Sequence, residues 1–211
     1  MNAATVKPPY WDAAVAHLMK GDRVLRRLIP QYPEMHLRSR GDPFTTLARA
    51  IVGQQISIKA ADAVWNRLMD ALRAPVTPDT ILAFGRDALR SAGLSQRKSE
   101  YMLDLAVHFS EQKVHPQLWE TMDDEAIIAE LVGIRGIGRW TAEMFLIFNL
   151  RRPDVLPLDD LGLMKAISLH YFSGEPVSRF EAREVAQAWQ PWRTVATWYL
   201  WRSLDPVAVE Y

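Results

Sequence analysis

The chain has 211 residues, 49% of them apolar, and its 25 basic and 25 acidic residues give a formal net charge of zero. It has no cysteine, which excludes disulfides, cysteine-ligated zinc and cysteine-held iron–sulfur clusters, and its histidines (17, 36, 108, 115 and 170) form no i, i+4 pair suited to zinc. No apolar run reaches the roughly 18 residues of a membrane span and no basic segment leads into an apolar one, so a soluble cytoplasmic protein, nucleoid-associated if prokaryotic, is the expectation.

Taken in order, the predicted elements are helical. Trp11, Val15, Leu18 and Met19 share one helical face. Asp42-Pro43 reads as a cap followed by proline at the first helical position, with Phe44, Leu47 and Ile51 on the buried stripe. Ser57 caps a helix through about Leu72, whose apolar positions are Val64, Leu68, Met69 and Leu72. Thr77-Pro78 opens a short helix, Gly93 closes another, and Ser95 caps a third through Phe109. Asp123 is placed to cap Glu125 to Leu131; Ser178-Arg179-Phe180-Glu181 is a capping box; Pro191 is expected to start the last helix, through about Leu204. No long alternating segment occurs, so strands are expected to be few or absent. The connectors at 73–80 and 150–158 are candidate crossings between lobes.

Two segments carry chemistry. Leu131 to Leu150 reads as helix, Gly-Ile-Gly turn, helix: a helix-hairpin-helix. A glycine turn at a helix start lets a ligand approach the backbone closely and points N–H groups at it, which suits a phosphate of nucleic acid. Zero net charge argues mildly against such a partner, because phosphate neutralisation supplies most nucleic-acid affinity. Local clusters (Arg23, Arg26 and Arg27; Arg38 and Arg40; Arg97 and Lys98; Arg135 and Arg139) offer a basic face, although each is equally read as solvated charge. Twenty residues past Trp140 stands Asp160, beside Asp159 in Pro157-Leu158-Asp159-Asp160-Leu161-Gly162. Neighbouring carboxylates diverge, so one is expected to cap the next helix and the other to face a cleft. They are too close for the paired arrangement of a glycosidase. A lone tryptophan such as Trp140 is more often core than pocket, and Trp201 is divided between the two.

Together with Asp42-Pro43-Phe44, Arg49 to Ser57 and Trp189-Gln190-Pro191-Trp192-Arg193 leading to Tyr199-Leu200-Trp201-Arg202, these segments resemble the helix-hairpin-helix–Gly/Pro-Asp superfamily of DNA glycosylases. Within it they resemble the 3-methyladenine DNA glycosylase II (AlkA-like) branch, over about residues 10 to 205. The resemblance implies an all-α fold of two helical lobes with a cleft between them, in one glycosylase unit over 1–211. Lobe one is expected at about 40–150, including the hairpin at 131–150, and lobe two at about 1–39 plus 151–211. The chain starts too close to its first helix to hold the N-terminal β domain of longer relatives.

Position by position, the resemblance makes Asp160 the essential aspartate. Trp140 stands where lyase-type members carry a Schiff-base lysine, which implies a monofunctional enzyme that leaves an abasic site. Gln55 falls at the wedge position, with Gln54, Gly133, Arg135, Gly136, Gly138 and Arg139 in the DNA-binding set. Trp140, Met144, Leu161, Trp201 and Arg202 fall in the base pocket. Met144, Leu161 and Arg202 replace tyrosines of the best-known relatives, so the pocket is less aromatic. The carbonyls of Val132, Ile134 and Ile137 are the implied seat of a Na⁺ or K⁺ ion, with no cofactor needed for the chemistry. The expected partner is double-stranded DNA containing alkylated bases, bound by a monomer with no membrane involved. Two rivals stand beside this reading: a non-enzymatic hairpin module that binds DNA, and a glycosylase for hypoxanthine, ethenoadenine or another purine lesion.

Overall fold

The computed structural model describes residues 6–39 and 41–204, which leaves Arg40 of the sequence-based basic clusters outside the described residues. Every regular element among them is helical and no strand occurs, in agreement with the periodicity. In chain order the helices are α1 (Trp11–Gly21), α2 (Leu25–Leu28) running into a 3-10 turn (Ile29–Gln31), α3 (Pro43–Gly53), α4 (Ile58–Leu72), α5 (Pro78–Ser91) and α6 (Gln96–Ser110). They continue with α7 (Asp124–Val132), α8 (Arg139–Phe148), α9 (Leu161–Tyr171), α10 (Arg179–Gln187) and α11 (Arg193–Leu204).

The start points follow from local chemistry. Asp42, Ser57 and Ser95 each accept an amide three residues on, at 3.0, 3.3 and 3.3 Å, and so satisfy donors that a helix start leaves open. Thr77 with Thr80, and Ser178 with Glu181, close reciprocal capping boxes. Gly85, at φ 77° and ψ 171°, breaks α5 into the two short helices that the sequence implies. Two expectations are corrected. Asp123 holds the cap position of α7, yet its side chain makes no capping bond. The last helix starts at Arg193, not Pro191: residues 189–192 form a turn, closed by Trp192 N–H on the Trp189 carbonyl at 2.7 Å. The Asp154 carboxylate takes the Arg193 amide at 3.1 Å and starts the helix there.

The chain divides into two compact units, Met1–Ser39 with Leu146–Tyr211, and Arg40–Phe145. The crossings fall at Ser39 and inside α8, whereas the connectors at 73–80 and 150–158 each lie within one unit. In the first unit α11 packs against α1, α2 and α9. Its residues Thr194 to Leu200 are all buried, as expected of a helix enclosed on every side. Trp11 meets the rings of Trp198 and Tyr199 at 5.3 and 5.9 Å between centroids. In the second unit α6 packs against α3 and α5, and α4 against α3 and α5. A chain of edge-to-face rings, Phe44–Phe109–Trp119–Phe145, runs through that core at 5.3, 6.2 and 5.3 Å, each pair contributing about 0.5–1.5 kcal/mol beyond its burial. On α4 the buried residues are Trp65 and Leu68, and the expected core residue Met69 is exposed.

Candidate active site and nucleic-acid interface

Asp160 sits at the N-cap of α9, in extended backbone, and is 8% exposed. Its Oδ1 accepts the Leu163 amide at 2.6 Å and the Trp201 indole N–H at 2.8 Å. The Trp201 ring is stacked on Phe148, with centroids 5.8 Å apart and 12° between planes, so the donor is held at a fixed angle. Gly162 leaves this bond uncrowded: a Cβ there would stand 3.1 Å from Asp160 Oδ1 and 3.4 Å from Trp201 Cδ1. The start of α11 anchors the strap leading to Asp160. Arg193 donates from Nε and Nη2 to the Asp154 carboxylate at 2.7 and 2.8 Å. Thr194 Oγ1 donates to the Arg152 carbonyl at 2.6 Å and accepts the Val155 amide at 2.9 Å.

The two adjacent carboxylates divide the work differently from the expectation. Asp160 is itself the cap, and Asp159, on the exposed side, forms an ion pair with Arg179. Diverging side chains put one carboxylate in the fold and one in solvent. The remaining base-pocket candidates of this unit separate as well. Leu161 is 86% exposed, an apolar side chain left in water beside the buried aspartate. Arg202 is buried, its guanidinium 5.0 Å over the Trp198 ring, and its carbonyl accepts the Tyr32 hydroxyl.

In the second unit the hairpin 133–138 is mounted on α6. Ile134 and Ile137 are buried, and the Ile134 carbonyl accepts the Ile137 amide at 3.1 Å. Gly136 has φ +87°, and a Cβ there would lie 2.2 Å from the Tyr101 ring, so backbone and packing both demand glycine. At Gly138 an added Cβ would meet nothing within 4 Å and φ is not in the left-handed region, so the fold itself has no use for this glycine. Asp104 Oδ2 takes the Arg135 amide at 2.8 Å, and Arg135 Nη2 reaches Glu100 at 3.2 Å.

Arg139 is engaged by two carboxylates: both terminal nitrogens pair with Glu125, and Nε donates to Glu143 at 3.0 Å. The hydrogen bond from Arg139 holds the Glu125 carboxyl below its ordinary range and drives the guanidinium of Arg139 higher still. The two hairpin cations expected to meet DNA are therefore each paired with protein carboxylates, while both side chains remain exposed. Trp140 is 37% exposed and not core, whereas Met144 is buried.

Gln54 and Gln55 follow α3. Gln55 is exposed and adopts φ +58°, which turns its side chain out of the helix path. Gln54 points back into the protein: its Nε2 donates to the Gly136 carbonyl at 2.7 Å. The ammonium of Lys98 donates to the Val52 carbonyl at 2.7 Å, and burial draws its pKa below the ordinary value. Sequence reasoning singled out Lys98 only as one of a basic pair, gave Gly162 no role of its own, and did not find Glu100, Tyr101, Asp104 or Phe148. The spacing 98, 101, 104 along a capped helix is the signal that one face of α6 carries a common task. In the first unit Arg26 donates to the Met19 and Lys20 carbonyls at the end of α1, and Arg27 to the Arg23 carbonyl.

Residues 48–191 match the HhH-GPD superfamily of base excision DNA repair proteins, and the chain belongs to that superfamily. It is 33% identical over 183 residues to the DNA-3-methyladenine glycosylase 1 of Schizosaccharomyces pombe, an alignment covering 85% of this chain and 80% of that protein. A crystal structure of a DNA-3-methyladenine glycosidase from Bacillus halodurans superposes with a TM-score of 0.86 at 35% identity, covering 94% of this chain and 92% of the other. The S. pombe 3-methyladenine DNA glycosylase solved in complex with abasic DNA gives a TM-score of 0.77 at 29% identity, covering 94% and 98%. No described helix is long and apolar enough to cross a membrane.

Proposed function

We infer that the protein is a monofunctional DNA glycosylase of base excision repair that hydrolyses the N-glycosidic bond of alkylated purines in double-stranded DNA and leaves an abasic site. The observation that carries this reading is the Asp160 carboxylate, buried at the start of α9 and fixed on one oxygen by a backbone amide and an indole N–H. A base such as 3-methyladenine or 7-methylguanine is cationic. When the C1′–N bond breaks, the base takes the bonding pair and departs neutral, so no acid is needed. What the reaction needs is negative charge near the cationic sugar and an acceptor for the proton that water loses as its oxygen bonds to C1′. Asp160 supplies both.

Extruding the nucleotide costs a few kcal/mol, least for a damaged pair. Gln55, turned outward after α3, fills the space it leaves. Gly138 gives a phosphate access to the backbone at the start of α8. Trp140 offers an aromatic face to a cationic base, a contact estimated at roughly 0.5–2 kcal/mol. Met144 of the second unit, and Leu161, Trp201 and Arg202 of the first, are the other proposed base-recognition residues. Arg135 and Arg139 contribute less phosphate charge than their number implies, because carboxylates already engage them. A monovalent cation would sit on the carbonyls of Val132, Ile134 and Ile137, in a turn where the Ile134 oxygen also accepts the Ile137 amide. It would add positive charge beside a phosphate. The protein acts as a monomer.

The test is release of methylated purines from alkylated duplex DNA by wild type and Asp160→Asn, followed by borohydride trapping. Release by wild type alone, with no trapped adduct, supports the reading. A trapped adduct, or release by the variant, overturns it. Tight duplex binding without release by either moves the function to the DNA-binding module or to another lesion.

A further inference from the structure

The turn that presents Gln55 and the hairpin that carries Gly138 are separate in sequence, yet they share their supports. Gln54 bonds directly to the hairpin at Gly136, and one helix, α6, braces both: Lys98 on the Val52 carbonyl just before the turn, Tyr101 beneath Gly136, and Asp104 on the Arg135 amide. An amide side chain beside a wedge is ordinarily counted as a DNA contact. Here one of its two amide N–H groups is taken by a protein carbonyl at 2.7 Å, which holds the side chain against the hairpin.

We propose that Gln54 is a positioning residue that locks the Gln55 turn to the phosphate-binding hairpin, so that a backbone phosphate held by the hairpin sets how far Gln55 enters the duplex. This role rests on the glycosylase reading for its purpose, but the mechanical link is a property of the second unit alone. Three features support a lock over ordinary packing. The left-handed backbone at Gln55 is disfavoured for a glutamine and persists only where its surroundings impose it. The two bonds just before it are side-chain donors on main-chain carbonyls: Lys98 holds the Val52 carbonyl of the turn's own backbone, and Gln54 ties the turn to the Gly136 carbonyl of the hairpin. The residues that follow, Ile56 and Ile58, are exposed, so apolar burial holds the turn only from its α3 side, through Ile51 and Val52.

The lock predicts that Gln54 works through Gln55 and not beside it. Gln54→Met keeps the side-chain length and removes the donor; Gln54→Lys restores one. Flipping is read as 2-aminopurine fluorescence opposite a tetrahydrofuran abasic analogue in duplex DNA. Coupling is read as hydrogen exchange at 53–57 and 133–140 in the free protein and in that complex. Neither readout requires base release, so a wild type that frees no alkylated purine would sink the glycosylase reading and leave this test intact.

Gln54→Met is expected to lower the fluorescence response about tenfold, as Gln55→Ala does, with the double variant no worse than either. Protection of 53–57 on binding is expected to vanish while that of 133–140 stays, and Gln54→Lys is expected to recover both signals. Losses that multiply in the double variant would show that the residues act independently and would overturn the proposal. So would loss of protection at both segments, retention at both, no protection in the wild type, or failure of Gln54→Lys to recover.

Discussion

The indole N–H of Trp201 and the carboxylate of Asp160, 41 residues apart, meet in a 2.8 Å hydrogen bond on the oxygen that also takes the Leu163 amide. The bond ties α11 to the proposed catalytic side chain: its first turn grips the strap at 152–155, and Trp201, near its end, holds Asp160. Trp201→Phe keeps an aromatic ring against Phe148 and removes the donor. A hydrogen bond to a charged group is worth about 1.5–3 kcal/mol, so the single-turnover rate of base release is expected to fall about 10- to 100-fold with little change in duplex affinity. An unchanged rate would reduce Trp201 to packing.

At Asp160 itself, capping and catalysis can be separated. Asn retains an oxygen able to accept the Leu163 amide and the Trp201 indole, so Asp160→Asn is expected to melt within a degree or so of wild type while base release is lost. Asp160→Ala removes the cap too and should cost a further 0.5–2 kcal/mol, roughly, in denaturant unfolding. Equal stability of the two variants would count against the capping role.

Gly162→Ala probes the space around the same bond. Its Cβ would lie 3.1 Å from Asp160 Oδ1, tighter than ordinary contact, and 3.4 Å from Trp201 Cδ1, at the edge of it. The carboxylate or the indole must then yield by a few tenths of an ångström. Alanine also favours helix over glycine by about 1 kcal/mol, so the melting temperature should hold or rise. The rate is expected to drop about tenfold; a variant that is both more stable and fully active would remove the argument for close approach.

The two hairpin glycines should behave oppositely. At Gly136→Ala the left-handed backbone and the Tyr101 ring at 2.2 Å both resist a methyl group, for an expected loss of about 2–4 kcal/mol in stability. Gly138→Ala meets no neighbour and should fold as well as wild type. Its effect should appear as about a tenfold loss in duplex affinity, measured by fluorescence anisotropy. Wild-type affinity in that variant would place the phosphate elsewhere.

Stability should also carry a mark of His170, whose Nε2 bonds Ser203 Oγ at 2.7 Å and whose pKa burial draws below the ordinary 6.5. As pH falls below about 6.5 the unfolded chain takes up this proton before the folded protein does, so stability declines, and the decline is complete below the folded-state pKa. Glu130 acts in a lower window. Burial pushes its carboxyl up, but the hydrogen bonds from Trp119 and His115 prevail and hold it below the ordinary 4.5, so its contribution is present above that value and lost beneath it. Thermal unfolding of His170→Gln between about pH 7.5 and 5 should therefore be flatter than that of wild type. Parallel curves would show that other groups dominate there.

The amino-acid sequence determined what depends on neighbours along the chain. Side-chain oxygens at Asp42, Ser57, Ser95 and Ser178 start helices because each meets an amide only three residues away. The glycine turn and the aspartate at fixed separation, together with the segments at 42–44, 49–57 and 189–202, marked the family, and that resemblance is what implies the role of Asp160. Only the tertiary structure decided which partner each polar group takes. It tied Arg139 to Glu125 and Glu143, sent Gln54 to the Gly136 carbonyl instead of outward, and made Asp160 cap and candidate catalyst at once. It also exposed Trp140, where a lone tryptophan in sequence reads as core. Hydrogen bonds and ion pairs act over a few ångströms, and residues as distant as 54 and 136, or 160 and 201, come within that range only after helix packing has set their positions.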